Sequence, residues 1–322
     1  MMPGCFHALL LWSCALARSA FPPTDGSWNY SSSPVFVASQ AWEGSAVCEP
    51  EVMWLPEFQY FRMYYRGGWG TWHIGVAISP DGIAWTKLAQ NPVYPGMQPY
   101  VFRESSNKWW LHATGPSWAT SSVATSEDGI VWTQQPSNRT LPAGGSQWGN
   151  RVVWKEASEW KMIQEVRFGN PWVLFLFTSA DGLSWALGNK GRPLETLQQH
   201  EGGSYCGPSL ANVDGVPKPK DESGLYHLWF HAVNGTGVLP TDIYHATSID
   251  LINWKVSPNG PVLHHLGTGF AFDQVADPSP VVHGSKAFLY YDGDNNAAAT
   301  AAIGVATADA IEIHTETLSI RG

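Results

Sequence analysis

The sequence predicts an all-β fold built from one repeated unit of antiparallel strands. Two observations lead to this prediction. The motif Ser-x-Asp-Gly-x-x-Trp occurs three times, and the chain is rich in aromatic residues, glycine and proline while only 14% of its residues are charged. Aromatic and β-branched residues favour strands, and Gly, Pro and Asp favour tight turns. A repeat along the whole chain outweighs the expectation of about two domains for this length.

The repeated motif marks the turn between the third and fourth strands of each unit. It reads "SPDGIAW" from residue 79, "SEDGIVW" from 126 and "SADGLSW" from 179. A degenerate copy that lacks the Gly, "SIDLINW", begins at 248. Aspartate accepts hydrogen bonds from turn amides, and glycine takes the positive φ that such a turn requires. We expect the Trp to anchor the outer strand against the next unit. The motif is therefore a signal of fold and not of function.

Strand-like runs precede each turn. Runs such as "FRMYYRGG" and "YHLWFHA" predict second strands, and runs such as "CEPEVMW" and "ADPSPVV" predict first strands. Five such units occur, and a four-stranded sheet cannot bury both faces unless it packs against other sheets, as in a ring of blades. The sequence thus predicts a five-bladed β-propeller with four antiparallel strands per blade. The N-terminal run "SPVFVAS" is expected to pack against the end of the fifth blade.

The first residues predict a secretory signal peptide. Residues 8–17 are apolar but too few to span a bilayer, and small residues follow them. We expect residues 1–20 to be the signal peptide and residues 21–322 to form one propeller domain that is secreted, monomeric and not membrane-bound; a buried N-terminal helix is the alternative. Three glycosylation sequons also favour export, and they lie at Asn29, Asn138 and Asn234.

Charge and cysteine content narrow the class further. The formal net charge is -9 and no cluster of Lys or Arg occurs, which argues against a nucleic-acid partner. Cys5 and Cys14 fall in the signal peptide, and Cys48 and Cys206 lie in non-adjacent blades, so we expect two free thiols. The Asp-x-Asp-x-Asn run from Asp292 lacks the Gly and Glu of a calcium loop. We expect no metal and no cofactor.

The five units, with their Asp-Gly-x-x-Trp hairpins and proline-containing inner strands, resemble the five-bladed propeller glycoside hydrolases of the arabinanase, levansucrase and invertase superfamily (families 43 and 32). The resemblance implies a site in the central funnel, with an Asp as base or nucleophile, an Asp as tuning group and a Glu as acid. Here those places hold Glu49, Asn150 and Cys206-Gly207-Pro208. The Asp box of the six-bladed sialidases has one more residue between Asp and Gly, which disfavours a sialidase.

Candidate site residues follow from their places in the repeat. The residue before each inner-strand Pro, or its equivalent, is expected at the funnel. These residues are Glu49, Gln98, Asn150, Gly207 and Asp277. The aligned second-strand residues are Arg66, Thr114, Glu165, His231 and Asp292. By this symmetry, Glu49, Glu165, Asp277 and Asp292 are predicted to turn toward one central depression.

Glycoside cleavage needs two carboxyl groups on opposite sides of the scissile bond. Glu165 lies in an apolar strand, so burial is expected to raise its pKa and suit it as a general acid, with Glu49 or Asp277 as base. The predicted substrate-binding residues are Arg66, Trp69, Trp72, Gln98, Trp148, Asn150, His231 and Asp292. The alternatives are structural: Glu165 pairs with Arg151 or Arg167, Asp277 caps a turn, and the tryptophans pack in the core.

The predicted function is that of a secreted glycoside hydrolase-like protein that cleaves or binds an oligo- or polysaccharide in the funnel. The first alternative is a non-catalytic carbohydrate-binding propeller, since Asn150 and Cys206 replace expected carboxylates. A scaffold for protein partners is the second, because a fold alone does not assign a function.

Overall fold

The computed structural model describes seven stretches of the chain: residues 20–68, 70–115, 117–169, 171–194, 205–233, 240–295 and 300–312. In these stretches the chain forms strands and turns and contains no α-helix, which confirms the all-β class. Three short 3-10 helices occur, at Ala41–Glu43, Asn189–Gly191 and Gly269–Ala271. None of the helical segments in the described part has the length and apolar character of a membrane span.

The chain opens with two short strands that pair with its far end. They are β1 (Ala20–Phe21) and β2 (Asn29–Tyr30). β1 is antiparallel to the last described strand, and β2 is antiparallel to the strand before it. Nearby, the backbones of Phe36 and Ile303 exchange hydrogen bonds of 2.9 and 3.1 Å. The run "SPVFVAS" therefore contacts the fifth unit as predicted, but through an isolated bridge, while the regular strand lies upstream at β2.

Three sheets each contain one antiparallel run of four strands in chain order. Group 1 is β3 (Val47–Leu55), β4 (Tyr60–Gly67), β5 (His73–Ser79) and β6 (Thr86–Lys87), with β7 (Tyr94–Pro95) added beside β5. Group 2 is β8 (Met97–Ser105), β9 (Lys108–Thr114), β10 (Ser121–Ser126) and β11 (Thr133–Gln135). Group 3 is β12 (Gly145–Glu156), β13 (Glu159–Phe168), β14 (Trp172–Ser179) and β15 (Ala186–Leu187).

A fourth sheet of ten strands contains two further runs of four. Group 4 is β16 (Tyr205–Ser209), β19 (Tyr226–Val233), β20 (Thr241–Ser248) and β21 (Trp254–Val256), with the hairpin β17 (Ala211–Val213) and β18 (Val216–Lys218) after its first strand. Group 5 is β22 (Gln274–His283), β23 (Lys286–Asn295), β24 (Thr300–Asp309) and β2, and β25 (Ile311–Glu312) follows. The N-terminal segment thus supplies the outer strand of the last group.

The first strands of the groups contact one another in a cycle. β3 contacts β8, β8 contacts β12, β12 contacts β16, β16 contacts β22, and β22 contacts β3. The amide of Val52 in β3 donates a 2.9 Å hydrogen bond to the Ser279 hydroxyl in β22. Apolar clusters fill the interfaces between groups; one of them joins Phe61 and Met63 of group 1 to Val281 and Tyr290 of group 5.

The repeated aspartates have the role in turns that the sequence predicts. In each copy the Asp Oδ1 accepts hydrogen bonds from the amides two and three residues onward, at 2.7 to 2.9 Å. The glycines that follow Asp81, Asp128 and Asp181 have φ between 73° and 78°. In the degenerate copy, Leu251 takes the place of the glycine and has a φ of 68°. The motif is therefore a turn motif in all four copies.

The tryptophan of the motif packs against the preceding group, so the prediction that it anchors to the next one is wrong. Trp85 of group 1 lies 5.8 Å from the Tyr290 ring of group 5, and Trp132 of group 2 lies 6.2 Å from Tyr64 of group 1. The reason is that the Asp-Gly turn itself receives a bond from the preceding group: the Tyr64 hydroxyl donates to the carbonyl of Gly129 at 2.8 Å.

Each first strand carries a β-bulge near its start. The bulged pairs are Glu49-Pro50, Gln98-Pro99, Gly149-Asn150, Gly207-Pro208 and Asp277-Pro278. A bulge re-aims nearby side chains and often adjoins a functional site. Glu49, Gln98 and Asp277 have φ of 56°, 54° and 47°, a conformation that costs non-glycine residues about 1–3 kcal/mol. Three of the nine non-glycine residues with positive φ in the described chain thus lie where first strands begin.

Two predicted alignments in group 3 are each wrong by one residue. Gly149, and not Asn150, occupies the place of Glu49. The sequence alignment missed this because no Pro follows Gly149 to mark the bulge. On the second strand Val166 is the register equivalent of Asp292, and Glu165 lies opposite the bulge. Because Gly149 has no side chain, Glu165 still reaches the bulges: a Cβ on Gly149 would come within 2.6 Å of the Glu165 Oε2.

Candidate functional site

The five bulges surround a small central cavity that encloses about 20 Å³. Its polar lining residues are Glu49, Glu51, Asn150, Arg151, Ser209 and Asp277. Gly207 and the prolines at 50, 99, 208 and 278 complete the wall. A space of this size holds one or two water molecules. The cavity is therefore polar and narrow.

Glu49 is held by an ion pair and a hydrogen bond. Nε of Arg66 lies 2.9 Å from its Oε1, and the amide of Gln98 donates to its Oε2 at 2.6 Å. Arg66 also donates to the Cys48 sulfur at 2.7 Å. Burial lowers the pKa of Arg66, but the adjacent acidic groups outweigh this effect and raise it, so the guanidinium stays charged. Together these contacts fix the orientation of the Glu49 side chain at the cavity wall.

Asp277, which belongs to group 5, lines the same cavity as Glu49. Its Oδ1 accepts a 2.8 Å hydrogen bond from the Asn150 side chain, and its backbone amide donates to Nδ1 of His231 at 3.0 Å. Burial lowers the pKa of His231 to about 3, so this imidazole is neutral and its Nδ1 is an acceptor. Burial and the charges of Asp292, Glu49 and Glu165 raise the pKa of Asp277 well above its ordinary range.

Asp277 and Asp292 form a hydrogen-bonded carboxyl pair. Burial and the nearby Asp294 raise the pKa of Asp292 to about 8. Two close carboxylates cannot both ionise cheaply, so the pair retains at least one proton at neutral pH. Oδ1 of Asp292 and Oδ1 of Asp294 are buried without a hydrogen-bond partner, although Gln274 donates to the other oxygen of Asp294. The pair thus keeps at least one exchangeable proton beside the cavity.

Glu165 lies behind the cavity wall, where it is 4% exposed. Its Oε2 accepts hydrogen bonds from the amides of Asn150 at 3.0 Å and Gly207 at 3.2 Å. The Cys206 thiol also bonds to this carboxyl group. Burial raises the pKa of Glu165 to about 7, as the sequence predicts, although these donors act in the opposite direction.

Arg151 joins the group 2 and group 3 sides of the site. Its guanidinium donates to the carbonyls of Gln98, at 2.7 Å, and His112, at 3.1 Å. It also donates to the Thr114 hydroxyl and the Gly149 carbonyl. The predicted pairing of Glu165 with Arg151 is electrostatic, since no direct bond joins the two side chains among the described contacts.

Cys48 and Cys206 are free thiols, as predicted. Burial raises the pKa of both thiols well above the ordinary value. A thiol of this kind is a poor nucleophile, because the thiolate is the reactive form. Cys48 contacts Arg66 and Cys206 contacts Glu165, so the two thiols hold these side chains in position and are not suited to covalent chemistry.

Of the two predicted stacking tryptophans that the structure describes, one is partly exposed. Trp72 is half-buried, and Trp69 lies outside the described residues. Trp148 is 3% exposed, and the Arg139 guanidinium covers its ring at 4.4 Å, so the prediction that it stacks on sugar is wrong. It packs in the core between groups 2 and 3.

The structure brings together most of the predicted site. Glu49, Asn150 and Asp277 line the cavity, and Arg66, Gln98, His231, Asp292 and Glu165 bond to these residues or to the adjoining backbone. The sequence analysis does not include Glu51, which directly follows the bulge at Glu49-Pro50, or Asp294, which lies two residues after Asp292 on β23. Among the described residues no cluster of His, Cys, Asp and Glu is placed to hold a metal ion.

Comparison with known proteins identifies the fold. No protein-family model and no curated protein matches the sequence. Among solved structures, a glycoside hydrolase matches with a TM-score of 0.65 at 13% identity, covering 92% of this chain and 94% of the other. The chain shares the fold of this glycoside hydrolase.

Two further structures agree with this assignment. The catalytic domain of the GH62 α-L-arabinofuranosidase of Coprinopsis cinerea matches with a TM-score of 0.63 at 14% identity, over 88% of this chain and 98% of the other. A GH130 protein, described with glycoside hydrolases that target β-1,2-mannosidic linkages in Candida mannan, matches with a TM-score of 0.63 at 16% identity, over 91% and 99%. These likenesses confirm the resemblance in fold that the repeat predicted.

Proposed function

We propose that this protein is a secreted five-bladed β-propeller that hydrolyses a glycosidic bond of an oligo- or polysaccharide at its central cavity. The observation that carries the proposal is that Glu49 and Asp277, from different groups, lie on the wall of one polar cavity and differ in their hydrogen-bond environment. Glycosidases need such a difference between two carboxyl groups, because one must accept a proton and the other must donate one.

The five-blade count is supported by one contact that occurs at two successive junctions between groups. The Tyr290 hydroxyl of group 5 donates to the carbonyl of Gly82 in group 1 at 3.0 Å. Tyr64 of group 1 makes the equivalent bond to Gly129 of group 2. Group 5 therefore relates to group 1 as group 1 relates to group 2, which is the relation expected in a ring of five blades.

In the proposed reaction Glu49 is the base and Asp277 is the proton donor. Glu49 lines the cavity and is oriented by Arg66 and the amide of Gln98, so it is placed to receive the proton of the attacking water. As the water oxygen bonds to the anomeric carbon and the glycosidic bond breaks, Asp277 gives its proton to the leaving oxygen. The raised pKa of Asp277 disfavours the predicted role as base.

Glu165 and Asp292 act on Asp277 in this scheme. Their charges raise its pKa and keep it protonated. We assign Glu165 this positioning role because the Gly207 backbone separates it from the cavity. Arg66 orients Glu49, and His231 fixes the backbone of Asp277.

A non-catalytic carbohydrate-binding propeller is the second candidate. The cavity of about 20 Å³ is far below the roughly 300–1,000 Å³ of ordinary ligand pockets, which favours binding of a glycan at the mouth without cleavage. Asn150 and Cys206 at the places of two expected carboxylates favour the same alternative.

Secretion, glycosylation and the monomeric state belong to the proposal as well. Asn29 and Asn138 have exposed side chains, so both sequons are accessible to a glycan. The sequon at Asn234 and residues 1–19 of the proposed signal peptide (residues 1–20) lie outside the described residues. Expression in a secreting eukaryotic host, followed by N-terminal sequencing and glycosidase treatment, tests secretion and glycosylation, and light scattering of the product tests the monomeric state.

A hydrolysis screen tests the proposed activity. Wild-type protein and the variants Glu49→Gln and Asp277→Asn are incubated with plant and fungal glycans, with reducing-end detection. We expect at least about 100-fold lower turnover for each variant, the usual effect of losing an acid or base. Glycan-array binding by a wild type that releases no reducing ends would instead favour the binding-protein candidate.

A further inference from the structure

Three tryptophans lie in a row across groups 1 to 3. The ring centroids of Trp72 and Trp118 are 5.9 Å apart, and those of Trp118 and Trp172 are 5.7 Å apart. All three side chains are half-buried, so part of each indole is open to solvent. The indole nitrogen of Trp72 is buried without a hydrogen-bond partner. The exposed part of this side chain is therefore carbon surface of the ring. We call these three residues the tryptophan strip.

The tryptophan strip is anchored next to the cavity. The carbonyl of Trp72 accepts a 3.0 Å hydrogen bond from the amide of Gly96, two residues before the bulge residue Gln98. The carbonyl of Trp118 accepts a 2.8 Å bond from the amide of Trp148, next to the bulge at Gly149. These bonds tie the strip to the same strand ends that carry the candidate site. A ligand on the strip can therefore extend into the cavity.

The strip occurs on one side of the repeat only. Each of its tryptophans lies within or directly after the connection between the second and third strands of its group, and two of these segments share Gly-x-x-Trp ("GPSW" and "GNPW"). The corresponding segments of groups 4 and 5 read "NGTGVLP" and "NNAAAT" and contain no aromatic residue. Packing that the fold needed would recur in all groups, as Asp-Gly-x-x-Trp does. The one-sided row instead favours a ligand that leaves the cavity in one direction.

The charges beside the strip favour a neutral ligand. The site contains several carboxyl groups and two guanidinium groups. Arg66 is engaged by Glu49 and Cys48, and Arg151 donates to backbone carbonyls and Thr114. Neither is placed to receive a carboxylate or phosphate, which arginine binds in a bidentate manner. A linear glycan of neutral sugars presents apolar ring faces to indoles and hydroxyls to the polar wall.

We propose that Trp72, Trp118 and Trp172 bind consecutive units of a linear, neutral oligosaccharide whose end enters the central cavity. The inference rests on the proposed function and adds to it the direction and chain character of the substrate. It predicts that affinity grows with oligosaccharide length and that the strip supplies this gain.

The test measures dissociation constants by calorimetry for linear gluco-, manno- and arabino-oligosaccharides, and for a polyuronide series, from disaccharide to hexasaccharide. Wild type is compared with Trp118→Ala and Trp172→Ala, and Phe58→Ala serves as the control. Phe58 is 53% exposed in the turn after β3, at the other end of the strands from the bulges. Circular dichroism checks folding, and Trp118→Leu replaces any variant that unfolds.

We expect wild-type affinity to rise with length in at least one series. The two tryptophan variants should lower hexasaccharide affinity about tenfold, as for a truncated aromatic anchor, and change disaccharide affinity less than about twofold. The control should match wild type. Length dependence that persists in both variants would overturn the inference and leave the proposed function standing, and so would tighter binding of a polyuronide series. A wild type that neither binds nor cleaves any glycan would overturn both.

Discussion

The backbone amide of Gly207 donates a 3.2 Å hydrogen bond to the Glu165 carboxylate. The same glycine faces Asp277 on its other side, where an added Cβ would overlap the Asp277 Oδ1 and come within 2.6 Å of Nδ1 of His231. Gly207 therefore keeps two acidic groups apart while allowing each to approach the backbone. Its φ of 55° is a second reason for glycine at this position.

Gly207→Ala is predicted to displace Asp277 and lower activity by at least about tenfold, because a misplaced catalytic group loses its alignment. Gly284→Ala is the matched control. Gly284 has a φ of 58°, but an added Cβ there meets no atom within 4 Å. Both variants carry the same backbone strain, so the difference between them reports the clash. Turnover and urea unfolding are measured for both; equal activity would show that the site tolerates the displacement.

Glu165→Gln is predicted to shift the alkaline limb of the pH-rate profile to lower pH. The ionised Glu165 helps to raise the pKa of Asp277, so its removal lets Asp277 lose its proton earlier. Because a general acid works only while protonated, activity then declines at lower pH. Glu127→Gln, an exposed carboxyl replacement in group 2, should leave the limb in place. An alkaline limb that stays at the same pH in Glu165→Gln would show that Glu165 does not influence the proton donor.

Asp292→Asn is predicted to flatten the dependence of stability on pH above neutrality. The pKa of Asp292 rises from 3.8 to about 8 on folding, so its stabilising contribution is lost as pH increases through this range. The buried His231 acts in the opposite sense, but only below its ordinary pKa of 6.5. The window from pH 6.5 to 8 therefore isolates the carboxyl effect.

Urea unfolding at several pH values in this window measures the slope. Wild type should lose free energy of unfolding as pH rises, and Asp292→Asn should lose less. Asp214→Asn is the control, since the Asp214 side chain is 61% exposed. Parallel slopes for wild type and Asp292→Asn would contradict the raised pKa.

Local signals explain what could be read from the sequence. Asp81 and its repeats mark turns through bonds to amides two and three residues away, so sequence spacing alone reveals them. Glu49, Gln98 and Asp277 were located because a Pro follows each in the bulge. Where that Pro is missing, at Gly149, the alignment was wrong by one residue.

The remaining features depend on contacts between groups. Trp118 lies in a loop and Trp172 directly after one, and only the packing of three groups places them in one row with Trp72. Asp294 is the exception, because alternation along β23 places it on the same face as Asp292. Whether a tryptophan such as Trp148 is open or covered depends on Arg139, which approaches from another loop.

Asp181→Ala is predicted to reduce stability without reducing activity. Asp181 accepts bonds from the amides of Leu183 and Ser184 at 2.8 and 2.7 Å and from the Ser179 hydroxyl at 3.0 Å. Removing a capping carboxylate of this kind costs about 0.5–2 kcal/mol. Asp181→Asn keeps an acceptor and should lose less. Urea unfolding and turnover are measured together; a loss of activity at unchanged stability would give the repeated aspartate a function beyond the turn.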